Sequence, residues 1–552
     1  MQREWILIVV LASVATLALA DTNKDKNSNT KPEPQAVAYF KADDQTTQGS
    51  VTVEGSSLSY NTTAGTIIVH PNGWDDVTDT IEAGPATPGE TQMQGGEKGP
   101  PPQKDNGARA SMFYIYYAKR DVRPEERPIT FLFNGGPGSS TIWLHMGAFG
   151  PRRVITADDT HTLAAPYKLV NNDYSLLDAS DLVFIDAPGT GFSRITGKDK
   201  EKSFYGVDQD AYAIAEFISQ ILAKYGRWNS PKYIFGESYG TPRAAVLVNM
   251  METDRSVDFN GVMLLSQILS YANSPDLPEF DPGVELPYML SLPTFAATAW
   301  YHNRLPGKRP QDLQKFLGEV QRFAMGEYSQ ALQAGSALNG KQRLMIANRL
   351  HQYTGLPVWY IMKANLRIDG GEFEKNLQDQ QDITTGRLDT RFSGPTLDPL
   401  SKKADYDPQS ASISSAYVSA FNDYVRKELN YGSGKSYKPE IPIWRSWDFH
   451  HQPPGVPVAL PQSLNVIPDL SIAMKYNPNL KVMANGGYFD IATPYYEGVY
   501  EMRHLQIPQS LQKNIETHFY QSGHMVYAHE DSLKQLHDNT ADFIRRTDNL
   551  KQ

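Results

Sequence analysis

Short apolar or aromatic runs, most of them stopping at a glycine, asparagine or aspartate, recur through the middle of this chain and limit its fold more than any other feature. Residues 112–117, 129–133, 182–185 and 233–235 are such runs. Strands apolar on both faces belong to a sheet covered on both sides, which is the condition of a parallel sheet. Between the third and fourth runs, Val207, Ala211, Ile214, Ile218, Ile221, Leu222 and Tyr225 recur at helical spacing, with Asp208, Asp210 and Glu216 on the opposite face. That pattern predicts an amphipathic helix. Strands alternating with helices predict an α/β fold with a mostly parallel central sheet. Strand-like runs resume at 441–444, 480–484 and 517–520, while 271–437 is dominated by helical segments such as 310–332 and 341–353. The simplest reading is a large, mainly helical cap inserted over the C-terminal edge of the sheet, where such folds place their sites.

The expected layout follows. Residues 49–270 are the first part of the α/β core, opening with antiparallel strands in 49–70; 271–437 are the cap; 438–552 are the second part of the core. The stretch 85–109, with Pro100-Pro101-Pro102, is expected to be a surface loop. At the N-terminus, Arg3, the apolar run 5–19 and Ala18-Leu19-Ala20 ahead of Asp21 read as a signal peptide over 1–20. The run falls short of the ~20 apolar residues of a membrane anchor. Residues 21–48, rich in polar residues and proline at their start, are expected to be a flexible linker. The protein is therefore expected to be exported, periplasmic or secreted, with no stable membrane association after cleavage. It has no cysteine, which excludes disulfides, a thiolate nucleophile and cysteine-based metal sites. With 52 Lys+Arg against 62 Asp+Glu, a net charge of -10 and no long basic run, nucleic acid is not an expected partner.

The chemistry concentrates in Gly236-Glu237-Ser238-Tyr239-Gly240. A G-x-S-x-G stretch between a strand and a helix exposes its serine hydroxyl on a tight turn, and here 233–235 precede the turn while an apolar helical run follows it. A nucleophilic serine needs oxyanion donors, a base and an acid that orients the base. The glycine-rich loop Asn134-Gly135-Gly136-Pro137-Gly138-Ser139-Ser140 after the run 129–133 can supply the donors. His524 stands near the C-terminus after the last strand-like run, and Asp490 follows the run 480–484, giving the chain order Ser, acid, His of this fold. By pattern alone Asp490 reads equally well as a turn or helix-cap residue. No H-E-x-x-H motif is present, and His450-His451 reads as an exposed loop pair rather than a ligand set. Acyl transfer by side chains and water implies no cofactor and no metal.

Taken together, N-G-G-P-G-S-S from Asn134, D-A-P-G-T-G-F-S from Asp186, G-E-S-Y-G from Gly236, D-x-x-x-P from Asp490 and S-G-H-M-V from Ser522 resemble the signature stretches of the serine carboxypeptidases, in order. The resemblance implies an α/β-hydrolase fold and a peptide substrate trimmed at its C-terminus. It implies Ser238 as nucleophile, His524 as general base and Asp490 as its orienting acid, with the amides of Gly136 and Tyr239 as the oxyanion hole. It further implies that the substrate carboxylate is held by the Asn134 side chain, the Gly135 amide and a protonated Glu237.

The chain departs from that pattern at three places. Ala148 stands where the family has a second glutamate sharing a proton with the one matching Glu237, which removes one cause of a raised Glu237 pKa. Ser139 replaces a common cysteine, and Tyr527 replaces a proline, a change expected to matter little. Ala148 motivates an alternative on the same scaffold, an esterase, amidase or acyltransferase. A catalytically silent exported binding protein is a third reading, set against the presence of every member of the triad.

Overall fold

The computed structural model describes residues 39–41, 43–74 and 107–550. The expected signal peptide and most of the expected linker and loop 85–109 lie outside the described residues. The antiparallel strands β1 (Gln45–Val53) and β2 (Ser56–Val69) lead into β3 (Arg109–Lys119). Because β1 begins at Gln45, ordered structure reaches into the segment expected to be linker.

Six further strands complete the main path of the sheet: β4 (Ile129–Phe133), β5 (Asp181–Ile185), β6 (Lys232–Glu237), β7 (Gly261–Leu265), β8 (Lys481–Gly487) and β9 (Ile515–Tyr520). Their order is β1-β2-β3-β5-β4-β6-β7-β8-β9, and the short strand Arg194–Thr196 pairs with β3 to make ten. From β5 through β9 every pairing is parallel. Alternate side chains of the strands go to opposite faces. On one face Phe131, Phe133, Ile234, Val262, Leu264 and Val482 pack against α1 (Val207–Lys224) and α2 (Gly240–Arg255). On the other face Leu132, Tyr233, Phe235, Met263 and Met483 pack in a second core. This is the mostly parallel α/β architecture expected from the strand and helix pattern, and the α/β-hydrolase fold that the resemblance implies.

Between β7 and β8 the chain adds a largely helical excursion. Its helices α3 (Leu286–Tyr301), α4 (Leu313–Phe323) and α5 (Gly340–Thr354) build an apolar cluster of their own around Leu290, Phe295, Leu317, Val320 and Leu350. The excursion is not one body. Helix α6 (Pro408–Lys427) packs Ile413, Tyr417, Phe421 and Val425 into the second core of the sheet rather than into the helical cluster. The run 441–444, expected as a strand, is an irregular segment that pairs only locally: Ile441 donates to the Gly138 carbonyl at 2.9 Å. Pro442 explains the difference, because proline has no N–H for a ladder. Helix α7 (Tyr495–Arg503) follows β8, and α8 (Glu530–Thr547) closes the second face through Leu533, Leu536, Phe543 and Ile544.

Candidate active site

Strand register brings the chemical residues to one edge. Phe133 lies beside Gly236, Glu237 beside Leu265, Leu265 beside Asn485, and Gly487 beside Tyr520. The segments that leave β4, β6, β8 and β9 therefore emerge together, carrying Asn134–Ser140, Ser238, Asp490 and His524 respectively.

The turn at Ser238 is built as the sequence predicts. Ser238 adopts φ 58, the left-handed region that a non-glycine residue enters at a cost, and it is only partly buried. Its amide donates to the Leu265 carbonyl at 2.9 Å and its carbonyl accepts from the Thr241 amide and hydroxyl, both at 2.8 Å. Close backbone approach makes the small residues obligatory. A Cβ on Gly236 would come within 2.2 Å of the Gly240 carbonyl oxygen, and one on Gly135 within 2.3 Å of the Tyr239 nitrogen. Beneath the turn, Arg243 of α2 donates from Nε to Asp210 of α1 at 2.5 Å and from Nη1 to the Asn134 carbonyl at 2.6 Å. This fully buried ion pair ties the helix after the serine to the loop after β4.

Asp490 and His524 meet. Asp490, with no exposed surface, accepts from Thr493 N at 3.0 Å and Thr493 Oγ1 at 2.7 Å, and its Oδ2 lies 2.8 Å from His524 Nδ1. Asp490 thus caps a turn and at the same time lies against the His524 imidazole. Burial resists charging His524, but the Asp490 carboxylate and its hydrogen bond outweigh this and raise the imidazole pKa. With Nδ1 committed, Nε2 is the nitrogen left to exchange a proton. The His524 loop is held from the excursion: Leu388 O accepts from His524 N at 2.6 Å, and Asp389, paired with Arg391 at 2.7 Å, accepts from Gly523 N at 3.2 Å.

Ser238, His524, Asn134, Gly135, Gly136 and Glu237 all line one open cleft of about 860 Å³. Among the described residues Ser238 Oγ makes no hydrogen bond, to His524 or to any other group, a looseness common in unliganded serine hydrolases. Nor do the amides of Gly136 and Tyr239 find a hydrogen-bond acceptor among the described residues. Asn134 is oriented by Leu144 N, which donates to its Oδ1 at 3.1 Å, and its side-chain amide also interacts with Glu237 and Tyr527.

Glu237, 3% exposed, is pushed up to about 7 by burial, against the lowering influence of His524, Tyr527 and Asn134. The missing second glutamate therefore does not return Glu237 to an ordinary carboxylate. Tyr527, expected to matter little, donates its hydroxyl to Glu237 Oε1 at 3.1 Å and Oε2 at 2.9 Å. Tyr527, Arg243 and Asp389 carry no local signal in the sequence, because each acts on a partner far away along the chain. Asp186 of the D-A-P-G-T-G-F-S stretch is structural: buried, it accepts from Thr141 N at 2.9 Å and knits the loop after β5 to that after β4. His451 is also not the exposed loop residue expected. It is 5% exposed, with Nδ1 2.5 Å from Asp208 and Nε2 2.9 Å from Asp469, whereas His450 stays open to solvent.

Residues 103–322, which carry the glycine-rich loop and the Ser238 turn, match the family model described as serine carboxypeptidase. Over that stretch the chain is similar to the serine carboxypeptidases. Its similarity to curated serine carboxypeptidases is modest. Serine carboxypeptidase-like 9 of Arabidopsis thaliana is 26% identical over 178 residues, 32% of this chain and 39% of that protein. Serine carboxypeptidase-like 7 of the same plant is 32% identical over 23% of this chain and 28% of its own. The pheromone-processing carboxypeptidase of Phytophthora infestans is 28% identical over 24% of this chain and 22% of its own. The chain thus spans well under half the length of the curated serine carboxypeptidases it matches. Among solved structures, proline iminopeptidase from Mycobacterium smegmatis aligns with 80% of this chain and 96% of its own at 11% identity and a TM-score of 0.34, a distant likeness. No helix among the described residues is long and apolar enough to cross a membrane.

Proposed function

We propose that this protein is a serine carboxypeptidase that removes C-terminal residues from peptides through an acyl-enzyme on Ser238. The observation that carries this reading is the buried carboxyl of Glu237 directly beside Ser238 at the floor of the cleft. A protonated Glu237 can donate to a peptide's terminal carboxylate, a contact that an ester substrate does not need. The NH₂ group of Asn134 and the Gly135 amide are further donors for the same carboxylate. Ser238 Oγ attacks the scissile carbonyl and passes its proton to His524 Nε2, while Asp490 holds the imidazolium. The oxyanion gathers the Gly136 and Tyr239 amides, and the proton then goes to the leaving amine. Water completes the cycle with His524 acting as base again. In this reading the protein is exported, on the strength of the 1–20 segment, and peptides are its substrates.

The test compares a blocked dipeptide with a free C-terminal carboxylate against its C-terminal amide. Strong preference for the free acid is expected, and Glu237→Gln should reduce it. Equal turnover of the two, or turnover of the amide alone, would leave an esterase or amidase on this scaffold as the better reading.

A further inference from the structure

The most informative group that the proposed mechanism leaves without a task is the phenol of Tyr527. It sits on the short turn Val526–Ala528 just after His524, 3% exposed, with both of its carboxylate contacts made to Glu237. Its ring lies on the wide helical turn Leu144–Phe149 that carries Ala148. A Cβ on Gly147 would come within 2.6 Å of Tyr527 Cδ2 and 2.5 Å of the Tyr417 hydroxyl, so only glycine there leaves room for the two aromatic side chains. Ala148, with no exposed surface, is equally small, and its carbonyl is occupied by Asn172 Nδ2 at 2.8 Å. Gly147 and the tyrosine are thus complementary: the space that a side chain at Gly147 would need is filled by a phenol from the far end of the chain.

We propose that Tyr527 is a positioning residue for recognition of the substrate carboxylate, holding the Glu237 carboxyl in place through contacts to both of its oxygens. This rests on the carboxypeptidase reading above. A phenol and a second carboxyl would act differently. Two carboxyls share a proton, and their repulsion keeps one of them neutral. A phenol donates a hydrogen bond to the charged carboxylate and so stabilises the form that repels substrate. It also fixes the plane of the Glu237 carboxyl by reaching both of its oxygens. The charged and titratable groups around Glu237 come from several elements: Tyr527 after β9, His524 and Asp490 at the triad, and Tyr417 from α6, with the amide of Asn134 from the loop after β4. Among these Tyr527 is the hydroxyl that binds the carboxyl directly, so its removal leaves Glu237 easier to protonate.

The experiment follows KM between about pH 5 and 9 for a blocked dipeptide free acid, in the wild type and in Tyr527→Phe, with an uncharged ester measured on the same preparations. In the wild type, KM for the free acid is expected to rise as Glu237 ionises, while KM for the ester stays level. In Tyr527→Phe the midpoint of that rise should move up by roughly 1–2 pH units, the size expected for one lost hydrogen bond to a charged group, while KM for the ester stays level with pH. A midpoint that stays put or moves down overturns the role of Tyr527 alone. Equal change of acid and ester kinetics at every pH would also overturn it, since that is what a packing defect does. A wild type whose KM for the free acid does not rise relative to the ester removes the carboxypeptidase reading, and this inference with it.

Discussion

At the scale of single residues the proposed chemistry depends on three side chains and one neighbour. Replacing Ser238 or His524 by alanine is expected to reduce turnover on the order of 10⁴–10⁶-fold, measured on purified protein with an unchanged melting temperature. Asp490→Asn should reduce it too, because the amide cannot hold the His524 imidazolium that the carboxylate now stabilises at 2.8 Å. If another acid proved more sensitive than Asp490, the orienting role would belong elsewhere. Ser238 and His524 were readable because a strained turn and a chain order leave marks in local sequence. Asp490 was only half readable: a lone aspartate after a strand serves many ends, and its second role exists only once β8 and β9 lie side by side. The contact of Tyr527 and the burial of His451 were not legible for the same reason, since their acidic partners Glu237, Asp208 and Asp469 come from other segments.

At the scale of elements, the site is held by clamps between segments. Arg243 and Asp210 are both buried, so Arg243→Leu strands a carboxylate in the core and also frees the Asn134 carbonyl. A loss of about 3–5 kcal/mol is expected by denaturant unfolding. A loss below about 1 kcal/mol would mean that Asp210 simply becomes neutral there. Asp389→Asn, which weakens the tie between the excursion and the His524 loop, should lower kcat more than it raises KM. Strands over Ile129–Phe133 and Lys232–Glu237 were legible because apolar runs with glycine stops leave little else for the backbone to do. The run at 441–444 failed because its apolar content outweighed the one residue, Pro442, that forbids a ladder. The expected cap boundary at 437 was drawn from helical pattern, and helical pattern does not say which body a helix packs against. Helix α6 joined the sheet.

At the scale of the whole molecule, stability without disulfides rests on three apolar clusters and a few buried charge networks. One network makes stability depend on pH. Burial resists the charge on His451, yet its bonds to Asp208 and Asp469 raise it from 6.5 to about 9. A group raised on folding stabilises fully below its unfolded value and loses that contribution as pH rises through the folded value. The melting temperature should therefore fall between about pH 7 and 10, and His451→Gln should flatten that fall. An equal slope in the variant would assign the pH dependence to other groups.

The arrangement of Ser238, His524 and Asp490 around one cleft is most directly tested by reaction with a fluorophosphonate followed by peptide mapping. Stoichiometric phosphonylation of Ser238 is expected, slowed at least ~10³-fold in His524→Ala, since the imidazole supplies the base. Folded protein that takes no label at Ser238, or takes it at the same rate without His524, would contradict the proposed triad.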